Sequence, residues 1–237
     1  GIGNLPPIVM SEGEDHQHLN TLSSAKHRFG IRVCFKRELT PNELNNAGNL
    51  QPIYPLPFSA IMDNTVPDNP NKDIDVFALF GNTWPMREEI VKVINSSYLR
   101  EKYKVHVGID HFERGSAPYN APAKTYKDYH DMMSRSKINI VARGWGCDTL
   151  RRFEAACYSG LVLSDNIPII TPDQFVDNQH LRYYNSDLSD MVSLIEHYLN
   201  NQSDRERIGK AGREHCMNHH TTEARTRYFL SKIEGHI

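Results

Sequence analysis

The segment from Arg143 to Asp165 places the tightest constraint on how this chain can fold. An apolar, strand-like run at residues 138–142 leads into a glycine-bearing loop, and a helix-length stretch follows that ends at Gly160. A second apolar run, residues 161–164, comes directly after that glycine. A strand, a helix and a strand in this order are typical of a right-handed crossover between parallel strands. The segment therefore predicts a parallel sheet.

The same alternation extends along most of the chain. Residues 75–80 form a continuous apolar run of the buried-strand type, and Pro85 stands at the first position of a predicted helix that ends near Leu99. Further strands are predicted at 104–109, 138–142 and 161–164, and helices at 126–135, 148–159, 187–200, 203–218 and 220–234. We therefore predict an α/β fold with a Rossmann-like parallel sheet flanked by helices, a reduced N-terminal segment and a helical C-terminus.

The N-terminal part has a different composition. Residues 1–60 are rich in proline and asparagine, with short strands predicted at 7–10 and 31–35, and residues 53–58 contain too much proline for a central strand. Residues 63–72 are a turn-forming linker. We therefore predict two parts, an N-terminal segment with its linker at 1–72 and a Rossmann-like domain at 73–237.

Composition excludes several classes of protein. None of the apolar runs approaches the ~20 residues that a membrane span needs. The net charge of −2 argues against a nucleic-acid backbone as the main partner. The four cysteines are scattered and form no Cys-x-x-Cys motif, which argues against a zinc site or disulfide framework. With no signal-peptide pattern, we expect a cytoplasmic protein; its oligomeric state cannot be read from the sequence.

Polar and glycine-bearing loops follow four of the predicted strands. They begin at Gly81, Asp110, Arg143 and Ser164. In an open parallel sheet, ligands bind outside the carboxyl ends of the strands. We therefore expect these four loops to line one cleft.

The first of these loops carries a candidate phosphate site. Gly81 allows close approach of a ligand to the backbone, and the helix that starts at Pro85 directs its free amides and positive dipole end toward the cleft. Gly81, Asn82 and Arg87 are therefore candidate diphosphate contacts. The alternative is an ordinary tight turn with an exposed arginine.

The third loop and its helix carry the second candidate set. The planar donor fork of arginine suits phosphate, and a carboxylate can accept hydrogen bonds from both hydroxyls of a ribose. Arg143, Gly144 and Arg151 are therefore candidate diphosphate contacts, and Glu154, three residues after Arg151 on the same predicted helix face, is a candidate ribose contact. Arg152 lies about 100° further round the helix. The alternative is an amphipathic helix with a solvated, salt-bridged first turn.

A candidate general base lies near the N-terminus. Asp15 and His16 follow a possible strand end, and carboxylates and histidines are the usual general bases. Either could deprotonate a hydroxyl acceptor if the N-terminal segment faces the cleft. The alternative is a solvated loop, which such clusters usually are, and a metal site is the least favoured interpretation.

At this point the chain resembles the GT-B-type glycosyltransferases of the group-1-like kind. The likeness covers residues from about 30 to 232, and it is most specific at Arg151-Arg-Phe-Glu-Ala-Ala-Cys-Tyr-Ser-Gly-Leu-Val-Leu-Ser-Asp165. Weaker likenesses lie at 35–38 with 54–58, at 75–81 with Arg87, and at 209–213 with 220–225. Gly146 stands where the family pattern has a first acidic residue, and Glu154 matches its second.

The resemblance implies a nucleoside-diphosphate sugar as donor substrate, a saccharide or other hydroxyl compound as acceptor, and transfer without a bound metal or other cofactor. It implies that Glu154 contacts the donor ribose and that Arg151 or a nearby loop binds the diphosphate. Arg143 takes the place of the family's lysine, because Lys137 lies at the wrong end of its strand. The alternative is a non-catalytic module that binds a nucleotide or a partner. An epimerase with a dinucleotide site would need a Gly-x-Gly-x-x-Gly motif after the first strand, and the sequence has none there.

Overall fold

The computed structural model describes residues 8–13, 19–61, 67–110 and 125–236, which contain two parallel sheets and the helices that cover them. The strands are β1 Val9–Glu12, β2 Val33–Lys36, β3 Ile53–Pro55, β4 Ile74–Gly81, β5 Val105–Asp110, β6 Ser136–Val141, β7 Leu161–Ser164 and β8 Arg182–Tyr183. The helices are α1 Asn20–Phe29, α2 Pro41–Asn45, α3 Pro85–Asn95, α4 Leu99–Lys102, α5 Tyr126–Ser134, α6 Leu150–Ala156, α7 Met191–Asn200, α8 Gln202–His219 and α9 Thr222–Glu234.

The larger sheet has the strand order β5-β4-β6-β7-β8, and every neighbouring pair in it is parallel. The predicted Rossmann-like α/β fold is confirmed. Since all its strands run the same way, their carboxyl ends lie at one edge of the sheet, as the sequence predicts. Of the four predicted loops, the one after β5 spans residues 111–124, which lie outside the described residues.

Alternate residues of β4 build two cores on opposite faces of this sheet. Val76, Ala78 and Phe80 pack against α3 and α7, whereas Phe77 and Leu79 pack with residues of α5, α6 and α8. Successive strand side chains point to opposite faces, so a strand covered by helices on both sides reads as one apolar run. This explains why residues 75–80 predict a buried strand.

Helix α8 approaches the sheet closely at a glycine. A Cβ atom on Gly209 would lie 2.3 Å from the backbone oxygen of Ser159, in the turn between α6 and β7. Only glycine fits at this distance, so Gly209 lets α8 close the face of the sheet beside α6.

The smaller sheet, in the order β1-β2-β3, is built by the N-terminal part of the chain and is also parallel. Proline-rich β3 lies at its edge, in agreement with its sequence. Helix α9, at the other end of the chain, returns to this sheet: the rings of Phe229 and Phe35 are 4.6 Å apart, and the hydroxyl of Tyr54 lies 3.2 Å from Nε2 of His236. The last helix therefore ties the smaller sheet to the Rossmann-like part.

The observed elements differ from the predicted ones in a few places. The helix predicted at 148–159 is shorter, Leu150–Ala156, and the predicted strand at 7–10 is β1, Val9–Glu12. Helices α1, α2 and α4 and the two-residue strand β8 were not predicted. Within the described ranges, none of the helices combines the length and the apolar character that crossing a bilayer requires.

Candidate functional site

The strand order places a crevice between the loops that follow β4 and β6. The chain leaves β4 toward β5 on one side and returns across it to β6 on the other, so the connections diverge at this point of the sheet. Such a switch point is where open parallel sheets bind their ligands. The loops at Gly81 and Arg143 are the walls of this crevice.

Arg87 joins the two walls from within. Its Nε donates to the backbone oxygen of Arg143 at 2.9 Å, and Nη2 donates to that of Ala142 at 3.0 Å. Its Nη1 donates to the backbone oxygen of Gly81 at 3.0 Å and to Oγ1 of Thr83 at 2.8 Å. The residue is only 4% exposed, so the alternative of an exposed arginine is wrong. A direct diphosphate contact by Arg87 stays a prediction, and the hydrogen bonds favour a role in positioning the loops.

Gly144 lies where the two walls come closest. A Cβ at this position would be 3.2 Å from Oγ1 of Thr83 and 3.3 Å from Nη2 of Arg87. These distances are tighter than ordinary van der Waals contact, so the absence of a side chain lets the loop after β6 lie against the Arg87 guanidinium.

Arg143 reaches outward from the same loop. Its guanidinium carbon lies 4.2 Å from the centre of the Trp84 ring, a cation–π geometry that holds the side chain at the crevice mouth. Its Nε has no hydrogen-bond partner within the described part of the chain. Its backbone amide donates to Oδ2 of Asp165 at 3.1 Å, which fixes the start of the loop to the end of β7. A guanidinium group held in place beside the crevice is suited to an anionic ligand.

A cleft of about 750 Å³ opens beside Arg143, along the carboxyl ends of β6, β7 and β8. Its walls include Trp84, Arg143, Asp165, Asn166, Arg182 and Tyr183. The size lies within the range of small-molecule sites. Asn82, at the tip of the loop after β4, is exposed.

Arg151 and Glu154 lie together on α6 and face α5. Nε of Arg151 donates to the hydroxyl of Tyr129 at 2.8 Å, and its guanidinium lies over the same ring. Oε1 of Glu154 accepts a hydrogen bond from the hydroxyl of Tyr126 at 2.9 Å. The spacing of three residues thus places both side chains on one face, as predicted.

The Arg151 side chain on α6 interacts electrostatically with Arg87 at the switch point. Burial, and after it the nearby positive charge of Arg151, lower the pKa of the Arg87 guanidinium to about 10. The Arg151 charge therefore lies close to the switch point. An anion placed between the arginines would relieve this repulsion.

Arg152 serves the sheet rather than the crevice. Its Nη2 pairs with Oδ1 of Asp165 at 3.1 Å, and its Nε donates to Oγ of Ser164 at 3.0 Å, with all three residues buried. Arg152 therefore holds Asp165, which in turn holds the amide of Arg143.

A second cleft, of about 390 Å³, lies between the carboxyl edge of the smaller sheet and the start of α6. Its walls include Ser11, Glu12, Gly13, Arg37, Phe58 and Leu150. The predicted bases Asp15 and His16 lie outside the described residues, although Gly13, two positions before Asp15, contributes to this cleft.

The junction beside this cleft is built on buried acids. The amide of Asp148 donates to Oε1 of Glu38 at 2.9 Å, and Oδ2 of Asp148 accepts from the amide of Phe58 at 2.6 Å. Burial raises the pKa of the Asp148 carboxyl to about 6, against the hydrogen bond from Phe58 and the charges of Arg152 and Arg37. These contacts connect the loop after β6 to the smaller sheet.

Sequence reasoning missed the polar face of α5. Tyr126, Tyr129 and His130 present side chains to Glu154 and Arg151, and Nε2 of His130 lies 3.7 Å from Oε1 of Glu154. Their spacing at positions i, i+3 and i+4 was a usable signal, because it marks one face of a helix. In the same described ranges, histidine, cysteine and acidic side chains form no group suited to holding a metal ion.

Comparison with known proteins identifies the family. Residues 69–231, more than half of the chain, match the family model described as glycosyl transferase-like, and the chain belongs to that family. No curated protein matches the sequence. The resemblance to group-1-like glycosyltransferases is thereby confirmed.

Three solved structures share the fold. TarM is 14% identical with a TM-score of 0.56, over 93% of this chain and 49% of TarM. A sucrose-phosphate synthase from Thermosynechococcus elongatus is 11% identical with a TM-score of 0.60, over 86% of this chain and 58% of the synthase. An alpha-glucosyltransferase in complex with UDP-glucose and DNA containing an abasic site is 12% identical with a TM-score of 0.58, over 96% of this chain and 72% of that one. The fold is of the GT-B type, and this chain spans about half the length of the first two relatives.

Proposed function

We propose that this chain binds a nucleoside-diphosphate sugar and takes part in transfer of its sugar to a hydroxyl acceptor. The observation that carries the proposal is the shared face of Arg151 and Glu154, beside the switch-point loops at the carboxyl edge of a parallel sheet. A sugar nucleotide offers a ribose diol and a diphosphate within one molecule. A carboxylate and a cluster of guanidinium groups are the matching partners.

In this proposal Glu154 receives the ribose hydroxyls. Its carboxylate is buried at 4% exposure, which strengthens any hydrogen bond that a ligand donates to it. Glu154 lies within the residues that match the family model, 69–231.

The diphosphate then lies along the arginines. Arg143 and Arg151 make the charged contacts with the diphosphate. The loops at Gly81, Asn82 and Gly144 let the diphosphate come close to the backbone. Positive groups fixed in place before the reaction stabilise the charge that develops on a departing diphosphate. Arg87, with its donors on the loop carbonyls, keeps both loops in position.

The acceptor would enter by the second cleft, which lies next to the start of α6. This cleft joins residues of the smaller sheet to Leu150, one residue before Arg151. Asp15 or His16 is the proposed base that takes the proton of the acceptor hydroxyl.

A donor panel tests the proposal. The protein is incubated with UDP-, GDP- and ADP-sugars, and both the thermal shift and the release of free nucleotide are followed, with and without simple saccharide acceptors. A shift with one donor and acceptor-dependent release is the expected result. A shift without release under any condition would favour a nucleotide-binding module, and no shift with any donor would contradict the proposal.

A further inference from the structure

The Glu154 carboxylate is buried with little support from the protein. Within the described ranges, its one hydrogen bond comes from the hydroxyl of Tyr126, at 2.9 Å. Nε2 of His130 lies 3.7 Å away, beyond hydrogen-bond distance, and is itself buried with no hydrogen-bond partner in the described part of the chain. A buried carboxylate normally accepts several hydrogen bonds, because losing water without replacement is costly. Glu154 therefore has capacity for further donors.

This donor, the Tyr126 hydroxyl, belongs to a residue that the surrounding structure holds weakly. Tyr126 is the first residue of α5 and is 66% exposed. Its backbone is fixed by the capping box of Thr125 and Asp128, whereas its ring makes a tilted contact with His130, with centroids 4.2 Å apart. The side chain can therefore rotate away from Glu154 without opening the core.

The phenol hydroxyl is chemically similar to a sugar hydroxyl. Partial burial and the adjacent Glu154 raise the pKa of Tyr126 to about 12, so the phenol keeps its proton and remains a donor at neutral pH. Phenol and ribose hydroxyls donate to a carboxylate at similar oxygen–oxygen distances. The two groups can therefore replace each other at Oε1.

We propose that the Tyr126 hydroxyl holds the ribose position on Glu154 in the ligand-free protein, and that a nucleotide must displace it. The proposal rests on the function proposed above, because it takes Glu154 as the ribose contact. A ribose can replace one hydrogen bond with two, since its neighbouring hydroxyls can both reach one carboxylate. A nucleotide without these hydroxyls cannot make the exchange, so Tyr126 acts as a specificity residue for ribonucleotides.

The competing explanation is a supporting role, in which Tyr126 only keeps Glu154 in the correct orientation. The two explanations predict opposite effects of Tyr126→Phe, which removes the hydroxyl and keeps the ring. If the hydroxyl competes with the ribose, the variant binds ribonucleotides more tightly. If the hydroxyl supports Glu154, the variant binds them more weakly.

Calorimetry with UDP, GDP, ADP and their 2′,3′-dideoxy analogues separates these cases. For the nucleotide that binds best, we expect wild type to prefer the ribose form. Tyr126→Phe should bind the ribose form about 2- to 10-fold more tightly, the range expected for one net hydrogen bond, and the dideoxy form unchanged. Tyr98→Phe is the matched control, because exposed Tyr98 also donates to a glutamate, Glu196, on the α3–α4 side of the molecule.

Each other outcome has one meaning. If wild type prefers the ribose form and Tyr126→Phe binds it equally or more weakly, the displacement proposal is overturned and the proposed function stands. If wild type binds a nucleotide without distinguishing its dideoxy analogue, or binds none, the ribose role of Glu154 fails, and the displacement proposal fails with it.

Discussion

Two neighbouring parts of the carboxyl edge differ in how fully the protein hydrogen-bonds their buried polar groups. At the switch point, all three nitrogens of the Arg87 guanidinium donate to acceptors of the protein itself. On the α5–α6 face, the buried Glu154 carboxylate accepts one hydrogen bond from the described residues, and its donor is an exposed tyrosine. Polar groups that the protein satisfies hold its structure, whereas those it leaves with spare capacity are suited to a ligand.

The largest effect is expected on stability, from Arg87→Lys. Lysine keeps the charge and loses the planar fork, so several backbone oxygens of the two loops lose their donors. We expect the free energy of unfolding to fall by about 3 kcal/mol, measured by urea denaturation.

The matched control for this change is Arg227→Lys, on the exposed face of α9, where the arginine pairs with Glu223. It should leave stability nearly unchanged. An Arg87→Lys protein as stable as wild type would remove Arg87 from its structural role and restore it as a candidate ligand contact.

Acid should destabilise the fold, because several histidines are held neutral. Burial lowers the pKa of His220 to about 2, and burial also lowers the pKa values of His180 and His215. Below an unfolded pKa of about 6.5, the unfolded chain therefore binds more protons than the folded one, and stability falls with pH. His220 alone should contribute a loss of about 2 kcal/mol between pH 7 and pH 5.

Asp148 should oppose this trend. Its raised pKa of about 6 means that the folded protein takes up this proton before the unfolded chain does, so its contribution to stability grows as pH falls through 6. Asp148→Asn should therefore make the loss between pH 7 and pH 5 steeper, by about 1 kcal/mol. Denaturation curves at the two pH values measure this, and a shallower pH dependence in the variant would contradict the assignment.

A smaller effect is expected at Gly144. In Gly144→Ala the new methyl group would press on Thr83 and Arg87, so the two loops must separate by a few tenths of an ångström. We expect stability to fall by about 1 kcal/mol and nucleotide affinity to fall several-fold. Gly235→Ala, where the methyl group meets open space, is the control. Equal affinities in both variants would show that the spacing of the loops does not matter for binding.

The smallest expected effect is that of metal removal. If Arg143 and Arg151 stabilise the diphosphate, nucleotide affinity and any transfer rate should be the same with EDTA as with Mg²⁺. The rate is followed by nucleotide release. A loss of transfer in EDTA that Mg²⁺ restores would contradict the metal-independent proposal.

Local sequence pattern predicts the larger sheet and the placement of Arg151 and Glu154 on one helix face. Buried strands such as β4 appear as apolar runs, and residues three apart share a helix face, so both features follow from the sequence. Helix α1, which buries Leu22, was also missed. Strand β8 was missed because two residues carry no periodicity.

The partners of the site residues depend on tertiary packing instead. Arg87 is buried because the loops after β4 and β6 meet. Its hydrogen bond to the backbone of Arg143 joins residues that are 56 positions apart in the sequence. Tyr126 meets Glu154 only because α5 packs beside α6. Patterns within a single helix mark which residues are polar and cannot say whether another part of the chain satisfies them.

Calorimetry of nucleotide binding to Glu154→Ala tests the central claim most directly. The exposed Glu89, which pairs with Lys92 on α3, provides the control variant Glu89→Ala. We predict that Glu154→Ala loses about 1–3 kcal/mol of nucleotide binding free energy, roughly a 5- to 150-fold weaker Kd, while the control binds like wild type. A folded Glu154→Ala protein with unchanged affinity would contradict the assignment of a donor site to the α5–α6 face.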